Sequence, residues 1–234
     1  MINGILVIDK NVGISSYDVI RDIKRNSKRV IDAICNGEYG SKFIKTGECN
    51  TNVDKLKIGH AGTLDPFASG LLIILLGNAT KKFDEFQQMR KRYEVKIEFG
   101  YETDTLDKTG TIVKQSDEIF EQEITIEKIK KIINKDLIGD IKQMPPQYSA
   151  KKVNGMKAYE YARIGKFVNL KEKNVSVYKF ELLGYKYPYA IFEIECSSGT
   201  YIRSLVADLG RKLGSYATAI ELRRTQTGEF ILDK

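Results

Sequence analysis

The most constraining stretch of this sequence is a glycine-rich loop that runs directly into a continuous apolar segment. Residues 59–70 read GHAGTLDPFASG, and residues 71–76 read LLIILL. The apolar segment has the length and composition of a short buried strand. Asp65 precedes Pro66, and a residue before proline is driven toward extended geometry, so Asp65 should lie at a turn rather than inside a helix. We therefore predict a rigid loop with a carboxylate at its turn, followed by a buried strand.

Two interpretations of Asp65 stay open on this pattern alone. Asp-Pro and glycine-rich stretches form turns in which the aspartate only bonds to its own backbone. Alternatively, a carboxylate held on a rigid loop beside a buried strand is well placed for chemistry. His60, the only histidine of the chain, lies in the same loop.

The composition excludes several classes of site. The three cysteines, Cys35, Cys49 and Cys196, form no CxxC pair, so neither a disulfide framework nor a thiolate metal site is indicated. A single histidine also rules out a histidine-rich metal site. The sequence contains no dinucleotide-binding fingerprint and no phosphate-binding loop motif. We therefore expect a chain that uses neither a metal nor a cofactor.

Length and charge indicate the class of partner. A chain of 234 residues suits one large domain, or a domain with a sizeable insertion. The formal net charge of +7 favours a polyanionic partner, and nucleic acid is the commonest of these. The apolar run near residue 5 is too short for a signal peptide, and we expect no membrane-spanning segment, because no apolar stretch reaches that length. We expect a cytoplasmic protein without a membrane partner.

Hydrophobic periodicity predicts a domain that mixes helices and strands. Residues 93–99 and 189–196 alternate between apolar and polar, as strands with one buried face do. Ser15 and Asp18 have the spacing of a capping box at the start of an amphipathic helix. The combination indicates an α+β fold with a mixed sheet. Further helices are predicted at residues 78–89, 125–137, 158–164 and 200–213, the last with Thr200 as its cap.

Two stretches stand apart from this periodicity. Residues 26–57 are rich in Lys, Asn, Gly and Ser, which predicts a surface insertion with a short helix at residues 30–34. Residues 144–172 interleave basic and aromatic side chains, a combination that suits RNA because cations meet phosphates while rings stack on bases. The alternative for this block is a solvated helix face whose tyrosines pack on the core. Its candidate phosphate ligands are Lys151, Lys152, Lys157, Arg163 and Lys166.

Four motifs, in this order along the chain, resemble those of one enzyme family. They are GHAGTLDPFASGLL from residue 59, KRY from residue 91, SGTYIR from residue 198 and IELRRTQTGEF from residue 220. Together they are similar to the motifs of the bacterial tRNA pseudouridine synthases of the TruB family. The resemblance implies the pseudouridine synthase fold, in which helices flank a mixed central sheet, with residues 144–172 as a thumb loop that grips RNA.

The resemblance also implies roles for individual side chains. In the family the aspartate of the first motif is catalytic, which corresponds to Asp65, and the arginine of the third motif pairs with it, which corresponds to Arg203. The remaining positions contact the target nucleotide or fill the gap left when it flips out of the stack. They are Tyr93 against the base, Tyr201 and Leu222 at the uridine pocket, and His60 as the filler.

The function implied by the resemblance is isomerisation of uridine to pseudouridine at position 55 in the T-loop of tRNA. We expect a single catalytic domain over residues 1–234, without the C-terminal RNA-binding (PUA) domain that most bacterial relatives carry. The expected partner is the T-arm of tRNA, with no DNA, guide RNA or protein partner. One alternative is a tRNA-binding folding factor that remodels the T-arm. Another is a relative that depends on guide RNA, although the guided relatives use the C-terminal domain.

Overall fold

The computed structural model describes residues 3–35, 43–45, 56–116 and 123–232. The backbone divides into two compact units, one comprising Met1–Lys91 with Arg223–Lys234 and the other Arg92–Leu222. Most of the predicted insertion at residues 26–57 lies outside the described residues. Its beginning forms a helix, Ser27–Cys35, which is longer at both ends than the predicted helix at residues 30–34.

The sheet of the first unit is built around the predicted buried strand. Its strands are β1 Gly4–Lys10, β2 Phe43–Lys45, β3 Ile58–Ala61, β4 Ser69–Leu76, the part of β13 (Ala217–Thr227) from residue 223 onward, and β14 Phe230–Ile231. Their order is β2-β1-β4-β13, with β3 also paired to β4 and β14 to β13. β1 and β3 run antiparallel to β4, whereas β13 runs parallel to it, so the sheet is mixed.

The α-helices in the described part of the first unit are α1 Ser16–Arg25, α2 Ser27–Cys35 and α3 Phe83–Gln88. The predicted capping box begins α1, since the Ser15 hydroxyl accepts from the Asp18 N–H at 3.1 Å while the Asp18 carboxylate accepts from the Ser15 N–H at 2.8 Å. The predicted single helix at residues 78–89 is wrong. A 3₁₀ helix, Gly77–Lys82, precedes α3, and the Thr80 hydroxyl donates to the Gly77 carbonyl at 2.7 Å. Such local side-chain bonds compete with α-helical pairing.

The core of the first unit confirms the apolar segment as a buried strand, because every residue from 70 to 76 in β4 is buried. One face of β4 packs with β1 residues and with two aromatic rings. The centroids of the Phe86 and Phe230 rings lie 6.0 Å apart. The buried cluster consists of Ile5, Val7, Ala61, Leu71, Ile73, Leu75, Ala79, Phe86 and Phe230.

The second unit has its own strands. They are β5 Lys91–Phe99, β6 Tyr101–Thr103, β7 Ile112–Gln115, β8 Gly139–Gln143, β9 Lys152–Val153, β10 Met156–Lys157, β11 Lys173–Lys186 and β12 Tyr189–Cys196, together with residues 217–222 of β13. The main path has the order β13-β5-β12-β11-β8, and the small hairpins β6-β7 and β9-β10 lie outside it. The helices are α4 Ile126–Ile132, continued by a π-helical turn Ile133–Leu137, α5 Ala158–Arg163 and α6 Ile202–Lys212.

The two alternating strands of the second unit have the buried faces that the sequence predicts. In β5 the buried residues include Tyr93, Val95, Ile97 and Phe99, and in β12 they are Ala190, Phe192, Ile194 and Cys196. The helix α6 is more deeply buried than an amphipathic stripe requires, since even Arg203 and Ser204 are each only 3% exposed. None of the helices in the described parts of the chain is long and apolar enough to cross a membrane.

Candidate active site

The loop that carries Asp65 is tied to the segment between β1 and α1. The Ser16 hydroxyl accepts from the Leu64 N–H at 2.9 Å and donates to the Leu64 carbonyl at 3.1 Å. On the other side of Asp65, the Pro66 carbonyl accepts from the Gly13 N–H at 2.8 Å. Since the residues before and after Asp65 are both hydrogen-bonded, the backbone at Asp65 has a fixed direction.

A buried lysine fixes the far end of the same turn. Lys10 is 1% exposed, and its ammonium donates to the Ala68 carbonyl at 2.5 Å and to two carbonyls of the segment that follows β1. Burial lowers the pKa of Lys10 to about 8, the Asp65 carboxylate raises it, and the Arg224 guanidinium lowers it. Asp65 therefore lies within electrostatic reach of a buried cation.

The apolar side chains on both sides of Asp65 are buried, whereas Asp65 and Pro66 are accessible to solvent. Leu64 and Phe67 are 3% and 5% exposed, and Ala68 is completely buried. Asp65 itself is half-buried and Pro66 is exposed. The apolar neighbours hold the loop on the core while the carboxylate stays reachable, which is the arrangement a catalytic group needs.

His60 belongs to the same unit as Asp65, on β3 rather than on the loop itself. Its backbone is in register with Ile74 of β4, in an antiparallel pair. The side chain is half-buried. The histidine is therefore presented by a paired strand five residues before Asp65.

Arg203 lies in the second unit, in the first turn of α6, and it is surrounded by acceptors. Its Nη1 lies 3.3 Å from Oδ2 of Asp107 and also donates to the Thr105 carbonyl. Its Nη2 donates to the Tyr148 carbonyl at 3.0 Å. Asp107 is 5% exposed, so both charges of this pair are buried. The guanidinium is held in one orientation by a carboxylate and two carbonyls.

The start of α6 corrects one prediction from the sequence. Thr200 is not the cap: its hydroxyl donates to the Ser197 carbonyl at 2.9 Å, and Tyr201 occupies the N-cap position. The Tyr201 N–H donates to the Gln143 Oε1 at 2.8 Å, and the Gln143 amide donates back to the Tyr201 carbonyl at 3.0 Å. A buried glutamine from β8 thus holds the backbone of the N-cap residue through both its N–H and its carbonyl.

Tyr93 and Leu222, the other predicted pocket residues, are buried in the second unit. They are 8% and 6% exposed, and they lie on β5 and β13, which are neighbouring strands. The structure therefore groups four predicted residues in this unit, Tyr93, Tyr201, Arg203 and Leu222, and places Asp65 and His60 in the first unit.

Two cations of the thumb segment, residues 144–172, lie beside one aromatic ring. The Lys157 Nζ lies 5.5 Å and the Arg163 Cζ 5.1 Å from the centroid of the Tyr159 ring. The N–H of Tyr159 donates to the Ser149 carbonyl at 3.0 Å, which ties α5 to the residues before β9. Lys152, Arg163 and Lys166 are exposed, Lys157 is half-buried, and Lys151 donates to the Lys171 carbonyl at 3.1 Å.

The described part of the chain holds no group of three or more His, Cys, Asp or Glu side chains arranged for a metal ion.

The chain matches the family model described as TruB family pseudouridylate synthase (N terminal domain) over residues 50–202. The chain belongs to the TruB family.

Individual members of the TruB family match nearly the whole chain. It is 43% identical over 228 residues to the tRNA pseudouridine synthase B of Caldicellulosiruptor saccharolyticus, a match that covers 97% of this chain and 68% of that protein. It is 38% identical over 233 residues to the protein of the same name from Bordetella avium, which covers 100% of this chain and 84% of that protein.

A solved structure shares the fold of this TruB family chain. The structure titled "Crystal Structure of a Cbf5-Nop10-Gar1 Complex" has a TM-score of 0.63 and 26% identity, over 98% of this chain and 50% of that chain. The chain thus spans about half the length of that structural relative. The predicted family, the α+β fold with a mixed sheet and the enzyme class, a pseudouridine synthase, are confirmed.

The structure adds residues that the sequence patterns did not single out. Lys10 follows an apolar run and resembles an ordinary strand end, while Asp107 lies in a turn-rich acidic segment and pairs with Arg203. Both are buried charged side chains, each with a partner that is distant in the sequence, and burial of a single charged residue leaves no periodic signal in a sequence.

Proposed function

We propose that the chain isomerises uridine to pseudouridine at position 55 in the T-loop of tRNA, acting alone and without a guide RNA. The observation that carries the proposal is the anchored loop around Asp65, which presents a reachable carboxylate from a fixed backbone. The relatives that are 38% and 43% identical are both named tRNA pseudouridine synthase B, which supports tRNA as the substrate.

The reaction is a balanced isomerisation. The bond between C1′ of the ribose and N1 of uracil breaks, the uracil turns, and C1′ bonds to C5. The proton on C5 is lost and N1 gains one, so no oxidant or reductant is required. The protein has to bind the flipped nucleotide, stabilise the charge that develops when the glycosidic bond breaks, and hold the detached uracil.

Asp65 is the proposed catalytic group. It either attacks the sugar or removes a proton from it, and both routes need an ionised carboxylate at a defined position. The hydrogen bonds to Leu64, Pro66 and Ala68 supply that position, since a displacement of about 1 Å can cost roughly 100-fold in rate. The Lys10 ammonium, which holds the Ala68 carbonyl, lies within electrostatic reach of this carboxylate.

The second unit supplies the proposed groups for the base. The family motif assigns Arg203 as the partner of the catalytic carboxylate, and its buried contacts to Asp107 and Tyr148 hold the guanidinium in a defined orientation. Tyr93 and Tyr201 would contact the uracil, and Leu222 would exclude water. His60 would take the space vacated by the flipped base.

The thumb segment is the proposed grip on the phosphate backbone. Two of its cations, Lys157 and Arg163, lie beside Tyr159, so phosphate contacts and stacking could come from one surface. Contacts to phosphates give affinity rather than sequence choice. Selection of position 55 therefore has to come from the shape of the T-loop and from the residues that hold the flipped base.

The test is to incubate the pure protein with an unmodified tRNA transcript and to map pseudouridine by carbodiimide-dependent primer extension. We expect one product, at position 55, with no other RNA or protein added. The matched control is the same transcript with cytidine at that position, which should give no product. A product at another uridine, or a requirement for an added RNA, would contradict the proposal.

A further inference from the structure

Two consecutive arginines of β13 have opposite environments. Arg223 is on the surface, where its Nη2 lies 2.6 Å from Oδ2 of Asp9. Arg224 is 1% exposed, which makes it one of the most deeply buried side chains of the protein. The alternation of a strand puts the two side chains on opposite faces. A fully buried guanidinium is costly to desolvate, so its contacts need an explanation.

The guanidinium of Arg224 binds the backbone on both sides of the Asp65 loop. Its Nε donates to the Leu71 carbonyl at 2.7 Å, and its Nη2 donates to the Gly62 carbonyl at 2.9 Å. Gly62 lies three residues before Asp65, and Leu71 lies six residues after it. One rigid planar group therefore connects the start and the end of the loop that carries the catalytic carboxylate.

Two glycines of the loop lie next to the same arginine. Gly70 is paired in register with Arg224, and a Cβ on Gly70 would lie 2.3 Å from the Arg224 carbonyl oxygen. A Cβ on Gly62 would lie 3.4 Å from the Arg224 Nη1, and both glycines have positive φ, +89° for Gly62 and +103° for Gly70. The close approach of the strand requires a glycine at position 70, whereas at position 62 a Cβ would make ordinary contact with the guanidinium and the positive φ is what favours glycine.

We propose that Arg224 is a positioning residue for the isomerisation, which sets the distance between the two ends of the loop and thereby the place of Asp65. The proposal rests on the proposed function of Asp65. A lysine cannot replace this arginine, because a single ammonium lacks the rigid planar fork that reaches two carbonyls in different directions. The charge of Arg224 also acts on Lys10, whose ammonium holds the same loop at Ala68.

The test compares Arg224→Lys and Arg224→Ala with the surface control Arg223→Ala. For each variant, the single-turnover rate of pseudouridine formation and the dissociation constant for tRNA are measured, together with the fraction folded. Arg224→Lys should lose roughly 100-fold in rate, with tRNA affinity within about twofold of the wild type. Added guanidinium ion should restore much of the rate of Arg224→Ala. Arg223→Ala should keep the wild-type rate and should not respond to guanidinium.

A second pair of variants covers the case in which Arg224 variants do not fold. Gly62→Ala adds a methyl group next to the guanidinium at positive φ, whereas a Cβ on Gly59 would meet no atom within 4 Å. We expect Gly62→Ala to lose rate without losing affinity, and Gly59→Ala to keep the wild-type rate.

The outcomes separate this inference from the proposed function. If the wild type is active and the Arg224 and Gly62 variants fold and react at the wild-type rate, the positioning role is overturned. The proposed function would then still stand. Equal losses of rate and affinity would also overturn it, because they would show that Arg224 supports RNA binding. A wild type that forms no pseudouridine would overturn the proposed function.

Discussion

Arg203 and Asp107 form a buried ion pair, with Nη1 of the arginine 3.3 Å from Oδ2 of the aspartate. The second oxygen of Asp107 accepts from the Thr109 N–H at 3.0 Å and from the Thr105 hydroxyl at 3.0 Å. The carboxylate is therefore fixed by its own turn before it meets the arginine. This arrangement makes Asp107 the support of a residue that the family motif assigns to the reaction.

Asp107→Asn should destabilise the protein and slow the reaction. Removing one charge of a buried pair typically costs roughly 3 to 5 kcal/mol, because the other charge stays buried. Urea unfolding measures this cost, and single-turnover kinetics on the folded fraction measure the effect on Arg203.

The matched control for Asp107→Asn is Asp136→Asn, which removes a surface pair with Lys212 at 3.5 Å. Such exposed pairs contribute about 0 to 1 kcal/mol. Equal stability and equal rates in the two variants would show that the buried pair supports neither the fold nor Arg203.

Neutralising the thumb cations should change the salt dependence of tRNA binding. The triple variant of Lys152, Arg163 and Lys166 to glutamine removes three exposed charges from the thumb segment. Each lost phosphate contact should reduce the slope of log affinity against log salt by roughly 0.7 to 0.9. The control changes three exposed lysines of α4, Lys128, Lys130 and Lys131, to glutamine. If both triple variants reduce the slope equally, the thumb is not the specific site of phosphate contact.

The buried Lys10 predicts a defined dependence of stability on pH. Its pKa falls from 10.5 to about 8 in the folded protein, chiefly through burial. Between these two values the unfolded chain binds more protons, so stability from this group rises with pH. The cost of the buried charge is therefore complete below about pH 8 and is relieved progressively toward pH 10.5.

The measurement for Lys10 is the difference in free energy of unfolding between the wild type and Lys10→Met, from pH 7 to pH 10. Methionine keeps the length of the side chain and cannot titrate, so the difference isolates Lys10 from other groups. We expect the wild type to gain on the variant as pH rises through this range. A difference that stays constant with pH would show that Lys10 titrates at its ordinary value.

The strands could be predicted because their patterns are local. The alternation at residues 93–99 and 189–196 and the apolar run at residues 71–76 each identify a strand without knowledge of its partners. The capping box of Ser15 and Asp18 could be predicted for the same reason. The first motif gave Asp65 a catalytic role only through the family resemblance, because its Asp-Pro pattern is equally typical of a plain turn.

The supports of the site could not be predicted, because they are contacts between distant residues. Gln143 lies 58 residues from Tyr201, and Arg224 lies 153 residues from Leu71. No spacing in the sequence connects such pairs. The failed prediction of Thr200 as a cap is a shift of one residue, because Tyr201 occupies the N-cap position and the Thr200 hydroxyl bonds the Ser197 carbonyl.

The decisive variant for the proposed function is Asp65→Asn. Asparagine keeps the size of the side chain but removes the charge and with it the nucleophile or base. Losing a group that acts in the transition state lowers turnover without removing ground-state contacts. We therefore expect pseudouridine formation to vanish while tRNA binding stays within about twofold of the wild type.

Tyr201→Ala is the variant with which the rate and the tRNA affinity of Asp65→Asn are compared. If Tyr201 stacks on the flipped base, its removal should weaken binding by roughly 1 to 3 kcal/mol as well as slow the reaction. Single-turnover assays beside equilibrium binding separate the two variants, since only one of them should lose affinity. A comparable rate in Asp65→Asn would refute the catalytic assignment. A wild type that binds tRNA tightly and never forms pseudouridine would favour the T-arm folding factor, because the anchored carboxylate would then contribute to binding rather than to bond breaking.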